Sequence, residues 1–338
     1  MRTLVVGGGS IGTRHIKNLM ALGVAPIAVV ETDEPRKRAL GRELGLMVFD
    51  SMESGLMWGP DLCIIASPTH LHASQALQAA ASGCHLFIEK PLSHEQAGLA
   101  ELSKEISARN LISMVGCNMR FHPGPAQVKE LLDKEAIGKT LFARVQTGSY
   151  LPSWRPGQDY RKSYSASAAM GGGCILDCIH EIDLTRWYLG EIIEVYCRAE
   201  HLSSLQMDVE DAAVLICKHI TCRDEGGPLS EIHLDYVQRT YERNCQIVGE
   251  KGTIFWNYQD GQVRLFDAES DRYTVFSQPQ DWTANQMYID EMRYFLSCLH
   301  RSESTMLSVS DAVNLMQVIF AARSSNESGR MVKIMDMR

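Results

Sequence analysis

Near its start the chain reads Met1-Arg2-Thr3-Leu4-Val5-Val6-Gly7-Gly8-Gly9-Ser10-Ile11-Gly12, an apolar run that leads directly into the pattern Gly-x-Gly-x-x-Gly. This order predicts a buried strand, a tight turn and a helix whose N-terminal amides face a phosphate. Gly7 would allow the turn, Gly9 would let a pyrophosphate approach the backbone, and Gly12 would let the helix pack on the strand. The candidate dinucleotide contacts in this turn are Gly7, Gly9, Ser10, Ile11 and Gly12.

An acidic residue follows at the distance that a dinucleotide requires. A second apolar run, Pro26-Ile27-Ala28-Val29-Val30, ends at Glu31, nineteen positions after Gly12. The Glu31 carboxylate would accept hydrogen bonds from the adenosine ribose and repel a 2′-phosphate, which favours NAD over NADP as the cofactor. Arg36 and Lys37 weaken that preference, because cations beside this strand are what a 2′-phosphate would need.

The composition indicates a soluble chain of about two domains. The sequence has 338 residues, 45% of them hydrophobic, and its apolar stretches are shorter than a bilayer requires. A core strand begins at once, which leaves no room for a cleavable leader, so we expect a cytoplasmic protein. The formal net charge of −8, without any basic run, argues against a nucleic-acid partner. Cys63, Cys217 and Cys245 lie in apolar runs and are expected to be reduced thiols.

Hydrophobic periodicity changes near residue 120. Over residues 1–120, helix-like and strand-like segments alternate, which predicts a parallel sheet with helical crossovers. Over 121–338, strand-like runs follow one another up to Asn257, which predicts an open, mostly antiparallel sheet, and two closing helices could pack back on the first domain. The expected fold is an α/β Rossmann dinucleotide-binding domain followed by an α+β domain for substrate binding and oligomerisation.

Polar side chains follow two strand-like runs at their carboxyl ends, where ligands of such sheets bind. One run ends in Ala66-Ser67-Pro68-Thr69-His70-Leu71-His72 and the next in Glu89-Lys90-Pro91. A lysine beside a nicotinamide can polarise a carbonyl or hydroxyl, or transfer a proton if its pKa is lowered. A surface position is the alternative for Lys90. The candidate cofactor contacts at these strand ends are Ser67, Pro68, Thr69, His72, Glu89 and Lys90.

A second constellation reads Gly171-Gly172-Gly173-Cys174-Ile175-Leu176-Asp177-Cys178-Ile179-His180-Glu181-Ile182-Asp183, a glycine run that opens into an apolar-periodic helix. Asp177, His180 and Asp183 stand three apart, so they would project along one helix face, where a carboxylate can orient an imidazole. A histidine with a nearby acid can take a hydroxyl proton while hydride leaves the same carbon. A core histidine is the alternative, and a zinc site with the two cysteines is disfavoured because a fourth ligand is missing.

Together these motifs resemble the glucose-fructose oxidoreductase, inositol dehydrogenase and rhizopine-catabolism (Gfo/Idh/MocA) oxidoreductases over nearly the full chain. The matching pieces are the turn at 7–12, Ala66-Ser67-Pro68-Thr69-His70 with His72, Glu89-Lys90-Pro91, Asn118-Met119-Arg120-Phe121, the segment from Gly171 to Asp183, and Gly249-Glu250-Lys251-Gly252-Thr253. The resemblance implies that Lys90, Asp177 and His180 act at the substrate carbon. It also implies a homodimer or homotetramer through the outer face of the second sheet. Asn118 and Arg120 are further substrate candidates.

One feature departs from the family pattern. Many members place four residues from the aspartate to the histidine, whereas Asp177 and His180 are three apart. Both spacings leave the two groups close on a helix, since each is near one turn. Asp183 is kept as the alternative acid, and a helix-capping or structural carboxylate is the favoured interpretation of this residue.

Between the domains lies Ser149-Tyr150-Leu151-Pro152-Ser153-Trp154-Arg155-Pro156-Gly157-Gln158-Asp159-Tyr160-Arg161, dense in aromatic residues, arginine and turn formers. Aromatic faces stack on sugar or base rings, and arginine makes forked bonds to phosphate or carboxylate. With Tyr164-Ser165-Ala166, this loop resembles a subgroup associated with nucleotide-sugar and surface-polysaccharide metabolism. A structured crossover with solvent-facing arginines is the alternative. The substrate-loop candidates are Trp154, Arg155, Tyr160 and Arg161.

The hypothesis from the sequence is an NAD(H)-dependent oxidoreductase that acts on a cyclitol or a sugar, including nucleotide-linked, amino or acidic sugars. His180 would move the hydroxyl proton, Lys90 would hold that oxygen, and Asp177 would orient His180. One alternative is an NAD-assisted glycoside hydrolase without net redox change. Another is a non-catalytic dinucleotide-binding regulator. The presence of Lys90, Asp177 and His180 argues against it, because a regulator has no use for a proton-transfer group.

Overall fold

The computed structural model describes residues 1–220 and 226–334. These residues form two compact units. Unit 1 comprises Met1–Asn118 and Asn285–Met316, and unit 2 comprises Met119–Ala284 and Gln317–Arg338. The chain therefore leaves unit 1 after the first sheet and returns to it late in the sequence.

Unit 1 is built on a six-stranded parallel sheet. Its strands are β1 (Thr3–Val6), β2 (Ile27–Val30), β3 (Met47–Phe49), β4 (Leu62–Ile65), β5 (His85–Glu89) and β6 (Ser113–Gly116). Its crossover helices are α1 (Ser10–Ala21), α2 (Glu34–Leu44), α3 (Met52–Met57), α4 (His72–Ala81) and α5 (Leu99–Ala108). Residues of β1 and β4 are buried along the whole strand, because helices cover both faces of a parallel sheet.

The strand order β3-β2-β1-β4-β5-β6 reverses direction between β1 and β4. All five neighbouring pairs are parallel. In such sheets a ligand binds beyond the carboxyl ends of the strands on either side of the reversal. The predicted Rossmann fold is confirmed, and the order places the glycine turn after β1 beside the polar turn after β4.

Unit 2 contains a nine-stranded sheet in the order β14-β13-β12-β11-β7-β10-β9-β8-β15. Its strands are β7 (Thr140–Gly148), β8 (Glu191–Glu200), β9 (Ala212–Ile220), β10 (Leu229–Asp235), β11 (Glu242–Gly249), β12 (Gly252–Asn257), β13 (Gln262–Asp267), β14 (Arg272–Ser277) and β15 (Val332–Lys333). The mostly antiparallel sheet is confirmed; the central pair β7 and β10 is parallel.

Helices lie along the buried side of this sheet. They are α6 (Pro123–Asp133), α7 (Cys174–Asp177) and α8 (Ile179–Leu189). The strands alternate buried and exposed residues, as in β9, because one face packs on the helices and the other faces solvent. Two long helices close the chain, α9 (Ala284–Arg301) and α10 (Val309–Ser328). In α9 the inward side chains Met292 and Phe295 are fully buried.

Two buried histidines of unit 2 are held as neutral rings. Nδ1 of His122 accepts a hydrogen bond from the Gly124 amide at 3.0 Å, at the start of α6. Nδ1 of His219 donates to the Gly190 carbonyl at 2.9 Å, and its Nε2 lies 2.8 Å from the Ser230 hydroxyl. Burial lowers the pKa of each histidine to about 4. Both rings therefore stay unprotonated in the folded protein at neutral pH.

We expect the free energy of unfolding to fall as the pH is lowered from 6.5 to 4. In this window an unfolded histidine binds a proton, whereas His122 and His219 in the folded protein do not. The unfolded state therefore binds more protons, and each histidine costs roughly 3 kcal/mol by the lower end of the window. Urea unfolding at several pH values measures the slope. His122→Asn keeps an acceptor for the Gly124 amide but cannot titrate, so it should flatten the slope.

The exposed His300→Asn is the matched control for this measurement. A slope in His122→Asn equal to that of the unsubstituted protein would show that His122 does not account for the loss.

Candidate cofactor and catalytic site

The glycine turn after β1 has the shape that a dinucleotide phosphate needs. Gly7 has φ +95°, and a Cβ there would lie 2.8 Å from the Ala66 carbonyl oxygen. A Cβ on Gly12 would lie 1.8 Å from the Gly7 carbonyl oxygen, so α1 can approach the turn only without a side chain here. At Gly9 a Cβ would meet no described atom within 4 Å, which marks the open side of the turn.

The start of α1 faces that open side. Gly9 is the N-cap of α1 and has no side chain with which to satisfy the first amides, and the first turn carries no acidic residue. Unpaired amides at a helix N-terminus, with the helix dipole, favour a negatively charged group. The turn therefore fits the pyrophosphate of NAD.

Glu31 closes the turn from the end of β2. Its Oε2 accepts a hydrogen bond from the Gly8 amide at 2.9 Å, and its Oε1 accepts from the amides of Thr32 and Asp33 at 2.8 Å each. Burial alone would raise the pKa of Glu31, but hydrogen bonds from Arg36 and from the backbone outweigh it and lower that pKa. The carboxylate is thus ionised and fixed before any ribose arrives.

The two cations that weaken the preference for NAD are both engaged by carboxylates. Nε of Arg36 donates to Glu31 at 3.1 Å. Lys37 forms ion pairs with Glu34 and Asp50. A 2′-phosphate would have to compete with these carboxylates for either cation, and it would also face Glu31 itself. The local charges therefore favour NAD.

We expect Glu31→Ala to weaken NAD binding about tenfold or more and to narrow the preference for NAD over NADP. The substitution removes a charged acceptor of the ribose hydroxyls and releases Arg36, which a 2′-phosphate could then bind. Titration of both dinucleotides, followed by protein fluorescence, measures the ratio of the two Kd values. Glu43→Ala, at an exposed position of α2, is the control, and an unchanged ratio in Glu31→Ala would contradict the assignment.

His72 ties the ends of β4 and β5 together. Its Nε2 lies 2.7 Å from the Ser67 carbonyl oxygen and its Nδ1 lies 2.8 Å from that of Pro91. Burial lowers the pKa of His72 even though both carbonyls favour the imidazolium, so the neutral ring donates to one carbonyl at a time. A direct contact of His72 with the cofactor would have to break one of these bonds. His72 therefore bridges the backbone after β4 and the backbone after β5.

Lys90 follows β5 and is half-buried, and its peptide bond to Pro91 is cis. The preceding Glu89 accepts a 2.6 Å hydrogen bond from Nε2 of His15, which is fully buried on α1. This pair joins the helix of the glycine turn to the strand end that carries Lys90. Sequence reasoning missed His15, although its place three residues after Gly12, on the inner face of α1, was the available signal.

Asp177 and His180 lie on two consecutive helices. Asp177 ends the four-residue α7, His180 lies in the first turn of α8, and Cys178 between them has φ −90° and ψ 30°. The prediction of one continuous helix face was therefore wrong. Buried residues continue across the break, so the apolar pattern of the sequence does not mark it.

Three hydroxyl groups hold the Asp177 carboxylate. Tyr164 donates to it at 2.9 Å, Ser165 at 2.7 Å and Tyr236 at 3.2 Å. Asp177 is 6% exposed and His180 8% exposed, so both have only a narrow access to solvent. Sequence reasoning missed Tyr236, because it lies 59 positions from Asp177 and spacing carries no signal at that distance.

Two buried ion pairs hold α8. Asp183 accepts two hydrogen bonds from Arg120, at 2.8 and 2.6 Å, and Glu181 lies 2.7 Å from Nε of Arg243. Burial alone would lower the pKa of Arg243, but the charge of Glu181 raises it. The structure thus places Arg120, a substrate candidate, and Asp183, the alternative acid, in a pair with each other. Asn118, the other candidate of that motif, is buried in unit 1.

The loop after β7 is ordered by its own polar side chains. Nε1 of Trp154 donates to the Ser149 hydroxyl at 2.7 Å. Arg161 donates to Asp159 from two nitrogens at 2.8 Å, and the Tyr160 hydroxyl accepts from the Gln206 amide at 3.0 Å. Arg155 lies over the ring of Tyr164, with 5.5 Å between guanidinium carbon and ring centroid. Asp159, the one acidic residue in the sequence of this loop, thus binds Arg161 and not Arg155.

Residues 1–220 and 226–334 contain no cluster of three or more histidine, cysteine, aspartate or glutamate side chains that could hold a metal ion. Within the same residues, every helix is too short or too polar to span a bilayer.

Comparisons with known proteins cover both units. The model of the oxidoreductase family with an NAD-binding Rossmann fold (GFO_IDH_MocA) matches residues 1–117, and the GFO/IDH/MocA C-terminal domain model matches residues 126–255. The chain is 28% identical to myo-inositol 2-dehydrogenase of Thermotoga maritima, over 99% of this chain and 98% of that protein. It is 25% identical to scyllo-inositol 2-dehydrogenase (NAD(+)) of Bacillus subtilis, over 99% and 96%.

Solved structures share the fold. A levoglucosan dehydrogenase in complex with NADH superposes with a TM-score of 0.87 at 20% identity, over 99% of both chains. An oxidoreductase from Agrobacterium radiobacter, in complex with NAD+, L-tartaric acid and magnesium, gives 0.85 at 21% identity, over 100% of this chain and 99% of that one. The family models and the two units together lead to one assignment. This chain belongs to the Gfo/Idh/MocA oxidoreductase family and carries its NAD-binding Rossmann domain.

Proposed function

We propose that the protein is an NAD(H)-dependent oxidoreductase that transfers hydride between nicotinamide and a hydroxyl-bearing carbon of a sugar or cyclitol. The observation that carries the proposal is the burial of Asp177 and His180, three residues apart, with the Asp177 carboxylate held by three hydroxyl donors. The half-buried Lys90 at the end of β5 adds a cation on the cofactor-binding unit. Two relatives that match along the full chain are named inositol dehydrogenases, which supports this class of substrate.

The proposed chemistry divides among the three side chains. NAD, when bound, accepts or returns the hydride. His180 takes the proton of the substrate hydroxyl, and Lys90 binds the same oxygen and stabilises its developing negative charge. Asp177 supplies a negative charge close in sequence to His180, which favours the imidazolium that forms during oxidation. Arg120 and Asp183 act as positioning residues, because their ion pair anchors α8.

The test is the change in nicotinamide absorbance with the purified protein, NAD or NADP, and a panel of inositols and of free, acidic and nucleotide-linked sugars. We expect NADH to form with one subset of the panel. Sugar release without accumulated NADH would instead indicate NAD-assisted glycoside hydrolysis. Tight NAD binding with neither result would indicate a non-catalytic regulator.

We also propose that copies of the chain associate through the outer face of the nine-stranded sheet. Strand register places Ile216, Glu231, Arg144 and Val275 on the same face. Ile216 is 47% exposed and Val275 50% exposed. Apolar side chains on an open sheet face are typical of a surface that another copy covers.

We expect Ile216→Glu to shift the protein from a dimer or tetramer to a monomer, because a buried unpaired carboxylate destabilises the interface. Size-exclusion chromatography with light scattering measures the mass. Met57→Glu, an exposed apolar position on α3, is the matched control. A monomeric mass for the unsubstituted protein would contradict the proposed assembly.

A cytoplasmic location is proposed from the cysteines. Cys63, Cys217 and Cys245 are buried, and burial raises the pKa of the latter two to about 12. Buried thiols of this kind are typical of proteins from reducing compartments.

A further inference from the structure

A cavity of about 350 Å³ lies within unit 2, in the loop that follows β7. That volume corresponds to roughly twelve water molecules at liquid density. It is larger than an isolated carboxylate would occupy and is large enough for a ring with a substituent. The lining residues that matter for its chemistry are Trp154, Arg155, Asp159, Tyr160, Lys162 and Ser165.

The lining carries an excess of positive charge. Asp159 is held by Arg161 through two hydrogen bonds of 2.8 Å, so their charges offset each other. Among the described residues, neither Arg155 nor Lys162 forms an ion pair with a carboxylate. Two cations therefore face the cavity with their charges available to an anion.

Aromatic rings supply the remaining surface. Trp154 is 36% exposed and packs edge-on against Tyr236, with ring centroids 5.3 Å apart. The ring of Tyr160 also lines the cavity. Exposed aromatic faces bind sugar or base rings by stacking. The cavity thus combines a stacking surface with cations, the combination that a ring bearing a negative charge requires.

The cavity adjoins the proposed catalytic carboxylate through three side chains. Ser165 lines the cavity and donates to Asp177 at 2.7 Å. Arg155 lies over Tyr164, whose hydroxyl donates to Asp177 at 2.9 Å. Tyr236, against which Trp154 packs, also donates to Asp177. A group in the cavity is therefore within the reach of one substrate molecule from Asp177.

We propose that this cavity is a subsite for a negatively charged substituent, a diphosphate or a carboxylate, carried by the sugar on which the enzyme acts. The inference rests on the proposed function and narrows its substrate class from polyols in general to anionic sugars. The anion pairs with Arg155 and Lys162, and any ring attached to it stacks on Trp154. Neutral sugars leave both cations without a partner and bind more weakly.

The experiment is calorimetric titration of the NADH-saturated protein with uridine diphosphate, glucuronate and neutral glucose. We expect one or both anions to bind at least tenfold more tightly than glucose, with an affinity that falls as salt is added. Binding of uridine diphosphate alone identifies a diphosphate as the source of the charge, and binding of glucuronate alone identifies a carboxylate. Equal affinity for glucose and both anions, or no anion binding, would overturn the subsite.

Variants separate this inference from the proposed function. Arg155→Gln with Lys162→Gln should weaken anion binding at least tenfold. Arg155→Lys keeps the charge but loses the forked donors, so it should weaken binding less than the double variant, and the exposed Arg301→Gln should have no effect. Anion binding that is equal in the double variant and the unsubstituted protein overturns the subsite, even if NADH forms with some sugar. A protein that binds the anions but never forms NADH retains the subsite and loses the proposed function.

Discussion

Lys90→Met is expected to reduce kcat/KM by at least a factor of a thousand while the affinity for NAD changes little. Methionine keeps an apolar stem that reaches as far as the lysine Cε but removes the ammonium group. A positioned proton donor or acceptor contributes roughly 10² to 10⁴ in rate, and loss of the charge on the substrate oxygen adds to it. The glycine turn and Glu31, which would hold the dinucleotide, are untouched by the substitution.

The surroundings of Lys90 explain why a small displacement should matter. Glu89, directly before it, is fixed by His15 at 2.6 Å, and the carbonyl of Pro91, directly after it, is bound by His72 at 2.8 Å. Both of these histidines are buried. The backbone on either side of Lys90 is thus anchored to α1 and α4, which gives the ammonium group a defined position.

Steady-state kinetics with the best substrate of the panel, together with NAD titration, measures both quantities. Lys104→Met, on the exposed face of α5 in the same unit, is the matched control. Turnover within a few-fold of the unsubstituted protein would show that Lys90 is a surface lysine, the alternative that the sequence left open.

The first sheet could be predicted from the sequence because its signals are local. The strand, the glycine turn, α1 and Glu31 all fall within the first 31 residues, and each has its own steric or charge requirement. Strands β13 and β14, the last two at one end of the second sheet, were missed; β14 is exposed along most of its length, so no buried face marks it in the sequence. Strands β7 and β10 pair in parallel although about eighty residues separate them in sequence. Hydrophobic periodicity predicts a strand but does not predict which distant strand it pairs with.

The sequence indicated which residues form the candidate site better than it indicated which helices carry them and which side chains they contact. Lys90, Asp177 and His180 could be selected because their neighbours in sequence mark a strand end and a glycine run. Two supporting residues could not, since Tyr236, which donates to Asp177, and Arg243, which pairs with Glu181, come from other elements and meet the site only through the fold. Helical spacing also gave no sign of the break at Cys178, because buried side chains continue through it.

His180→Gln is expected to lower kcat by a factor of about 10² to 10⁴ and to remove the acid limb of the pH profile for oxidation. Glutamine keeps a polar side chain in this buried position but cannot take a proton. The fold should persist, because α8 is held by Glu181 with Arg243 and by Asp183 with Arg120, none of which the substitution alters. The affinity for NADH should therefore stay unchanged.

Asp177→Asn tests the coupling between the carboxylate and the imidazole. Asparagine retains an oxygen that can accept hydrogen bonds from Tyr164 or Ser165, but it removes the negative charge. Without that charge the imidazolium is less stable, so we expect the acid limb of the profile to move to lower pH. A purely structural role of Asp177 would lower stability or kcat without moving the limb.

The measurement that distinguishes these cases is the pH dependence of kcat/KM. It compares the unsubstituted protein with Asp177→Asn, His180→Gln and the exposed control His300→Gln. An acid limb that survives in His180→Gln would assign the proton transfer to another group.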